Sequence, residues 1–219
     1  MLLSQLKHLF IKEFSIELRQ KYAINGILLY GVSTIFISYL SFKKILNPGV
    51  WNALFWIIML FASVNAVSKS FMQESKGRLL YLYTIASPRA VILSKMLYNS
   101  FLIVLISFLC FLFYGLFIGN IVQDNVLFSI VLFLGSMGFS SILTLMSAIA
   151  SKTNSNFSLM AILSFPVMVP LLMTLIKVSR NAIDGLDWSV SSNYLIVLAL
   201  LNVIVGMLTY LLFPYLWKD

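Results

Sequence analysis

An all-α membrane protein, with six transmembrane helices preceded by an N-terminal amphipathic helix at the interface, is the fold class the sequence predicts. Three observations predict it. The chain is 61% hydrophobic and only 10% charged, where a soluble domain is about a quarter charged. Six runs contain no Asp, Glu, Lys or Arg: Tyr22 to Phe42, Ile45 to Ser68, Met96 to Gln123, Asn125 to Ser151, Thr153 to Ile176 and Trp188 to Trp217. Each exceeds the ~18 apolar residues that mark a spanning helix, and together they take 154 of the 219 positions. The remainder, split among two termini and five loops, is too small for a soluble catalytic domain. Runs this long do not fit the alternating ~10-residue strands of an outer-membrane barrel. A single transmembrane domain over residues 1–219 of an inner (cytoplasmic) membrane is expected, with spans near 22–42, 48–68, 96–118, 126–150, 156–176 and 191–213.

The first element is helical by its periodicity. Leu6, Phe10, Phe14 and Leu18 recur every four residues while Lys7, Lys12, Glu13, Arg19 and Lys21 occupy other faces, the pattern of a helix lying on a membrane surface. The segment is too charged for a signal-peptide core and Tyr22 to Phe42 lacks an obvious cleavage site, so no processing is expected. Six spans put both termini on one side, where eleven of the fifteen basic residues fall, against Lys43, Lys44, Lys177 and Arg180 on the other. The positive-inside rule then makes the termini cytoplasmic. The net charge of +8 is a topology signal, and no nucleic-acid partner is expected; membrane lipid is.

Between the second and third runs lies the longest polar interval, Lys69 to Lys95. Gln73 to Ile85 fits a short amphipathic helix with Leu79, Leu80 and Tyr83 on one side and Glu74, Lys76 and Arg78 elsewhere. Ser87-Pro88 then starts a new helix, because Ser caps free amides and Pro is pre-set for the first helical position. The third span therefore begins near Arg89, inside the cytoplasm. In the fourth run the small-residue spacings Ser136/Ser140, with Gly135 and Gly138 beside them, favour close helix approach, as does Gly115/Gly119 in the third. In the fifth, Pro166 and Pro170 remove backbone hydrogen bonds on one face and make a bend, a candidate hinge. Lys177 to Ser189 is long enough for a small surface or re-entrant element. Trp51, Trp188 and Trp217 stand near run ends, where amphipathic rings meet headgroups.

The chemistry that is missing narrows function. No charged residue or histidine sits inside a run, which weighs against ion-coupled transport. No H-E-x-x-H, G-x-S-x-G, carboxylate pair or phosphate loop occurs, so a non-catalytic chain is expected, binding neither metal nor cofactor directly. His8 reads as a solvated interfacial residue, Cys110 as packing, and Asn65, Asn99, Ser147 and Asn202 as hydrogen-bonding groups between helices.

The stretch Ser70-Phe71-Met72-Gln73-Glu74-Ser75-Lys76-Gly77-Arg78-Leu79-Leu80, followed by Ile85-Ala86-Ser87-Pro88-Arg89 and Lys95, resembles the cytoplasmic coupling loop of six-span, type-2 ABC exporter permeases. Glu17-Leu18-Arg19 in the first helix, the glycines of the fourth run and Phe165-Pro166-Val167-Met168-Val169-Pro170-Leu171-Leu172 in the fifth extend the resemblance over the full length to the CcmB family, the membrane subunit of the haem exporter of cytochrome c maturation. One departure is the single acid, Glu74, before the loop glycine. The resemblance implies a permease working with a separate ABC ATPase subunit that binds the ATP, with other cytochrome c maturation membrane subunits and with a periplasmic haem chaperone; haem is substrate, and a homodimer stays open. It implies that the ATPase docks on a coupling helix through Glu74, Gly77, Arg78, Leu79, Leu80, Tyr83, Pro88 and Arg89. Export of a lipid, drug or other small molecule, and a non-transporting assembly scaffold, are the competing readings.

Overall fold

The computed structural model describes residues 2–19, 21–42, 47–68, 86–152 and 157–218. Among them every regular element is helical. A chain bathed in lipid satisfies its backbone amides within each helix, since no water is there to do it. In order the helices are α1 (Leu2–Arg19), α2 (Lys21–Phe42), α3 (Pro48–Val67), α4 (Pro88–Phe117), α5 (Asn125–Lys152), α6 (Phe157–Asp184) and α7 (Trp188–Lys218). Five of these, α3 to α7, are long and apolar enough to cross a membrane. The sixth expected span falls on α2, whose described apolar stretch, Gly26–Phe42, is shorter.

Local chemistry sets the helix ends. Asn47 accepts a hydrogen bond from the Gly49 amide at 2.9 Å and Pro48 opens α3. Asp124 accepts from the amides of Val126 and Leu127 at 3.0 and 2.9 Å to open α5. Gly185, at φ +66°, closes α6, and the Leu186 amide donates back to the Asn181 carbonyl at 3.0 Å, the bond of a glycine-terminated helix. Because α6 runs unbroken to Asp184, the stretch from Lys177 is the end of that helix and a tight turn. The expected surface or re-entrant element is absent there, as buried Val178, Ala182 and Ile183 keep the helix packed on the bundle and the Asp124 amide of the α4–α5 turn donates to the Ala182 carbonyl at 3.0 Å.

Helix α5 is the centre, packing on α3, α4, α6 and α7. Two thirds of its most apolar window, 67%, is buried, against 11% for α7, so α7 is peripheral. Gly135 and Gly138 make the central packing close: a Cβ on Gly138 would stand 2.7 Å from Leu171 Cδ2, and one on Gly135 2.9 Å from Leu175 Cδ2. The Gly115/Gly119 spacing does not act this way. Gly119 lies beyond α4 at φ +104°, and Gly115 faces only Asn120.

At the end of the bundle where α4 meets Gly119, an aromatic cluster of Trp51, Phe55, Tyr114 and Phe128 fills the interior, with the Trp51 and Tyr114 ring centres 4.8 Å apart and near perpendicular. Trp51 is buried and its Nε1 donates to the Gly119 carbonyl at 3.0 Å. It is a core residue and not a headgroup ring as its place at a run end suggested, because an indole inside a bundle needs only one acceptor. Trp188 is exposed and donates to Asp124.

Candidate functional site

The opposite end of the bundle, around Ser87, joins three helices. Ser87 Oγ accepts from the Ala90 amide at 3.3 Å, Pro88 takes the first helical position, and the Ser87 hydroxyl donates to Gln5 Oε1 of α1 at 3.2 Å. Arg89 reaches over the Tyr210 ring of α7 at 5.3 Å, a cation–π contact of modest worth at an exposed site. Beneath them Val91 and Ile92 of α4 pack with Ala148 of α5 and Phe213 of α7, and Leu9 of α1 leans on the same group. Of the expected docking residues, Pro88 and Arg89 therefore stand on the first turn of α4, which begins as the Ser87-Pro88 pair indicates. Glu74, Gly77, Arg78, Leu79, Leu80 and Tyr83, with the Gln73 to Ile85 helix, lie outside the described residues.

A feature absent from the expected set lies one turn further in. Helix α1 runs alongside the first half of α4 in the same direction: Gln5 meets Ser87, Phe10 packs edge-on against Tyr98, and Phe14 against Phe101. Between these contacts Lys95 Nζ lies 3.2 Å from Glu13 Oε1, with the lysine 1% exposed and the glutamate 13%. Lys12 reaches the same oxygen at 3.5 Å. A buried ammonium is tolerated only when paired. The sequence does carry a signal for this: Val91, Ile92, Lys95, Tyr98, Asn99 and Leu102 share one helical face of α4, all buried. A lysine on an otherwise core face needs an acid facing it, and the amphipathic α1 supplies one.

Polar groups further in link helices. Asn99 Nδ2 donates to Thr144 Oγ1 at 2.9 Å, Ser136 to Ser107 at 3.1 Å, and Asn202 Nδ2 to the Leu134 carbonyl at 3.1 Å. Trp56 Nε1 donates to Ser179 Oγ, and Asn52 Nδ2 to the Ile176 carbonyl, both at 2.8 Å. Asn99 and Asn202 thus bridge helices as expected, while Ser147 Oγ is buried with no hydrogen-bond partner among the described residues. His8 is exposed and Cys110 buried. Among the described residues no three His, Cys, Asp or Glu side chains come together.

Pro166 and Pro170 sit inside α6, which continues through both. Neither has an N–H, so the Ile162 and Pro166 carbonyls lose their partner one turn on. Both prolines face outward, beside exposed Ile162, Phe165 and Met173. Buried Ser164, Met168 and Leu171 face the bundle.

No curated protein matches the chain. A family model described as "CcmB protein" matches residues 4–213, nearly the whole length. The match covers α1, the polar interval before Ser87, the glycines of α5 and both prolines of α6. The chain therefore belongs to the CcmB family, the multi-pass membrane permease component of the ABC-type haem exporter of cytochrome c biogenesis.

Proposed function

We propose that the chain couples ATP hydrolysis by a separate subunit to haem handling and to release of the haem-loaded periplasmic chaperone. In this reading α2 is a sixth span, both termini are cytoplasmic, and the ATPase docks on α1 and on the Gln73 to Ile85 segment. Leu79, Leu80 and Tyr83 are buried in that contact, in which Gly77 also takes part; Glu74, Arg78 and Arg89 set its orientation; Pro88 passes its movement to α4. The partner subunit binds the ATP, and haem is the substrate.

The observation that carries the reading is the Ser87 junction. Helix α4 is unbroken over 30 residues, about 45 Å at 1.5 Å per residue, which exceeds the ~30 Å hydrocarbon core. Its protruding start is tied to α1 through Gln5 and Glu13 and to α7 through Tyr210. A displacement applied just before Ser87 thus reaches the far side through a rigid body rather than a loop.

Replacing Leu79 and Leu80 by Asp tests it. The ATPase should no longer co-purify, and covalent haem attachment to c-type cytochromes should fail. Unchanged co-purification and ATPase activity would overturn the docking claim. Deleting the gene without losing haem attachment would favour export of another small molecule. No ATP-dependent effect on haem-loaded chaperone in vesicles holding the assembled complex would favour a scaffold.

A further inference from the structure

A groove opens between α3 and α6 on the outside of the bundle. Leu60, Phe61, Val64 and Asn65 line it from α3; Ala161, Ser164, Phe165 and Met168 of α6 line it opposite. Its walls are almost wholly apolar, and Phe61 and Phe165, 50% and 58% exposed, stand at its mouth. The polar exception with no partner is Asn65. Its backbone carbonyl accepts from Ser68, but among the described residues its carboxamide makes no hydrogen bond. The Ser164 hydroxyl, by contrast, already donates to the Ala161 carbonyl.

The groove has a polarity gradient along the membrane normal. Asn65 is two residues from the end of α3 and Ala161 four from the start of α6, so both lie close to the membrane surface on the Ser87 side. Leu60 and Met168 are five and seven residues further in, about 7 to 10 Å deeper at the helical rise. An amphiphile entering from that leaflet finds a hydrogen-bond donor at the depth of its polar end and hydrocarbon beneath. The groove holds about 180 Å³, and a cavity of about 150 Å³ takes one benzene, so a short length of hydrocarbon chain fits within it.

We propose that the groove between α3 and α6 seats one phospholipid acyl chain, with the Asn65 carboxamide donating to its ester carbonyl. The inference stands apart from the ATPase reading. A lipid held here lies against the first turns of α6 before Pro166, so its presence or loss bears on how that half of the helix moves.

The full-length chain, purified with its co-purifying subunits into nanodiscs containing a trace of phospholipid with a diazirine on its acyl chain, provides the test. After photolysis, insertion into 60–65 and 161–168 should exceed that into 200–212 of α7 several-fold, although α7 is at least as exposed. Ala161→Phe fills the groove and should abolish the excess while leaving α7 labelling intact; Asn65→Leu should at least halve it. Equal labelling of the two regions in the wild-type chain would overturn the proposal, as would an excess that survives Ala161→Phe. So would displacement by added haem, or stronger labelling from a diazirine fatty acid at the same mole fraction. The wild-type comparison needs no variant to fold, and α7 labelling reports insertion of each variant.

Discussion

Glu13 of α1 and Lys95 of α4 form an ion pair 3.2 Å long with its ammonium end almost sealed from solvent. Such pairs are weak evidence for stability but costly to break singly, at about 3–5 kcal/mol when fully buried. Here the glutamate keeps some exposure and Lys12 is a second cation on it, so the lower end of that range is the ceiling. Lys95→Met should lower the thermal midpoint of the purified chain by several degrees and release α1 from α4. The double variant Glu13→Leu/Lys95→Met should recover part of the loss, because neither member of this pair is then stranded, although Lys12 loses its contact with Glu13. A cysteine pair at positions 10 and 98, now an edge-on ring contact, reports docking by crosslinking. If Lys95→Met is as stable and as crosslinkable as the parent chain, the pair does not hold α1.

This pair also marks where the sequence stops being legible. Spans α3 to α7 follow from charge-free runs because lipid leaves the backbone no alternative to helix. Ser87-Pro88 is readable because a cap is local chemistry. Lys95 is different. Its place on the apolar face with Ile92 and Tyr98 calls for an acid, but a lysine at the edge of a run also reads as a positive-inside residue, and which acid faces it depends on how α1 docks. Trp51 misleads for the same reason: its position in the run is that of a headgroup ring, yet the partner is Gly119, 68 residues away. The close approach at Gly135 and Gly138, and its absence at Gly115, depend likewise on which helices face each residue.

Gly138 tests the central packing. A methyl there meets both Cδ atoms of Leu171 at 2.7 and 2.9 Å and Asn202 Oδ1 at 3.2 Å, and Leu171 is itself buried. Overpacking of this kind costs ~1–3 kcal/mol. Gly138→Ala should therefore destabilise the chain, and Gly138→Ala/Leu171→Ala should be less impaired than the two single effects summed. Gly115→Ala, whose nearest neighbour would be 3.6 Å away, should change stability by less than ~0.5 kcal/mol. Equal midpoints for the two alanine variants would contradict this packing.

Ser179 holds together the polar group near the Gly119 end. Trp56 Nε1 donates to its hydroxyl, which in turn reaches Asn52 Oδ1, each at 2.8 Å. Ser179→Ala leaves the indole N–H without its acceptor in the interior, a loss of ~1–3 kcal/mol by the usual price of a stranded donor. Hydrogen bonds between membrane helices average nearer ~0.6 kcal/mol, so about 1 kcal/mol is expected. Unfolding in graded denaturing detergent measures it, and Trp56→Phe in the Ser179→Ala background should cost little more for the hydrogen bond itself.

Ser87 is the smallest change that probes transmission. Replacing an N-cap serine by alanine costs ~1 kcal/mol, and by glycine only a few tenths; Ser87→Ala also removes the donor to Gln5. The first turn of α4 should fray, seen as faster hydrogen exchange at Ala90 and Val91. Under the proposed function ATPase binding persists while haem attachment to c-type cytochromes falls, with Ser87→Gly less affected. Faster exchange with full haem attachment would separate the cap from coupling.

Pro166 and Pro170 test whether α6 flexes. Each proline costs its helix a hydrogen bond, and interior prolines destabilise helices by ~3 kcal/mol or more. Their outward position in α6 means that an alanine there adds an N–H without crowding the core. Pro166→Ala and Pro170→Ala should therefore raise the thermal midpoint. If α6 bends during each cycle, the same variants lose haem-attachment activity as they gain stability, because the restored bonds to Ile162 and Pro166 must break for the helix to flex. If α6 does not flex, stability rises and activity holds. Measuring midpoint and haem attachment on the same two variants decides between them, since only a hinge makes the two move in opposite directions.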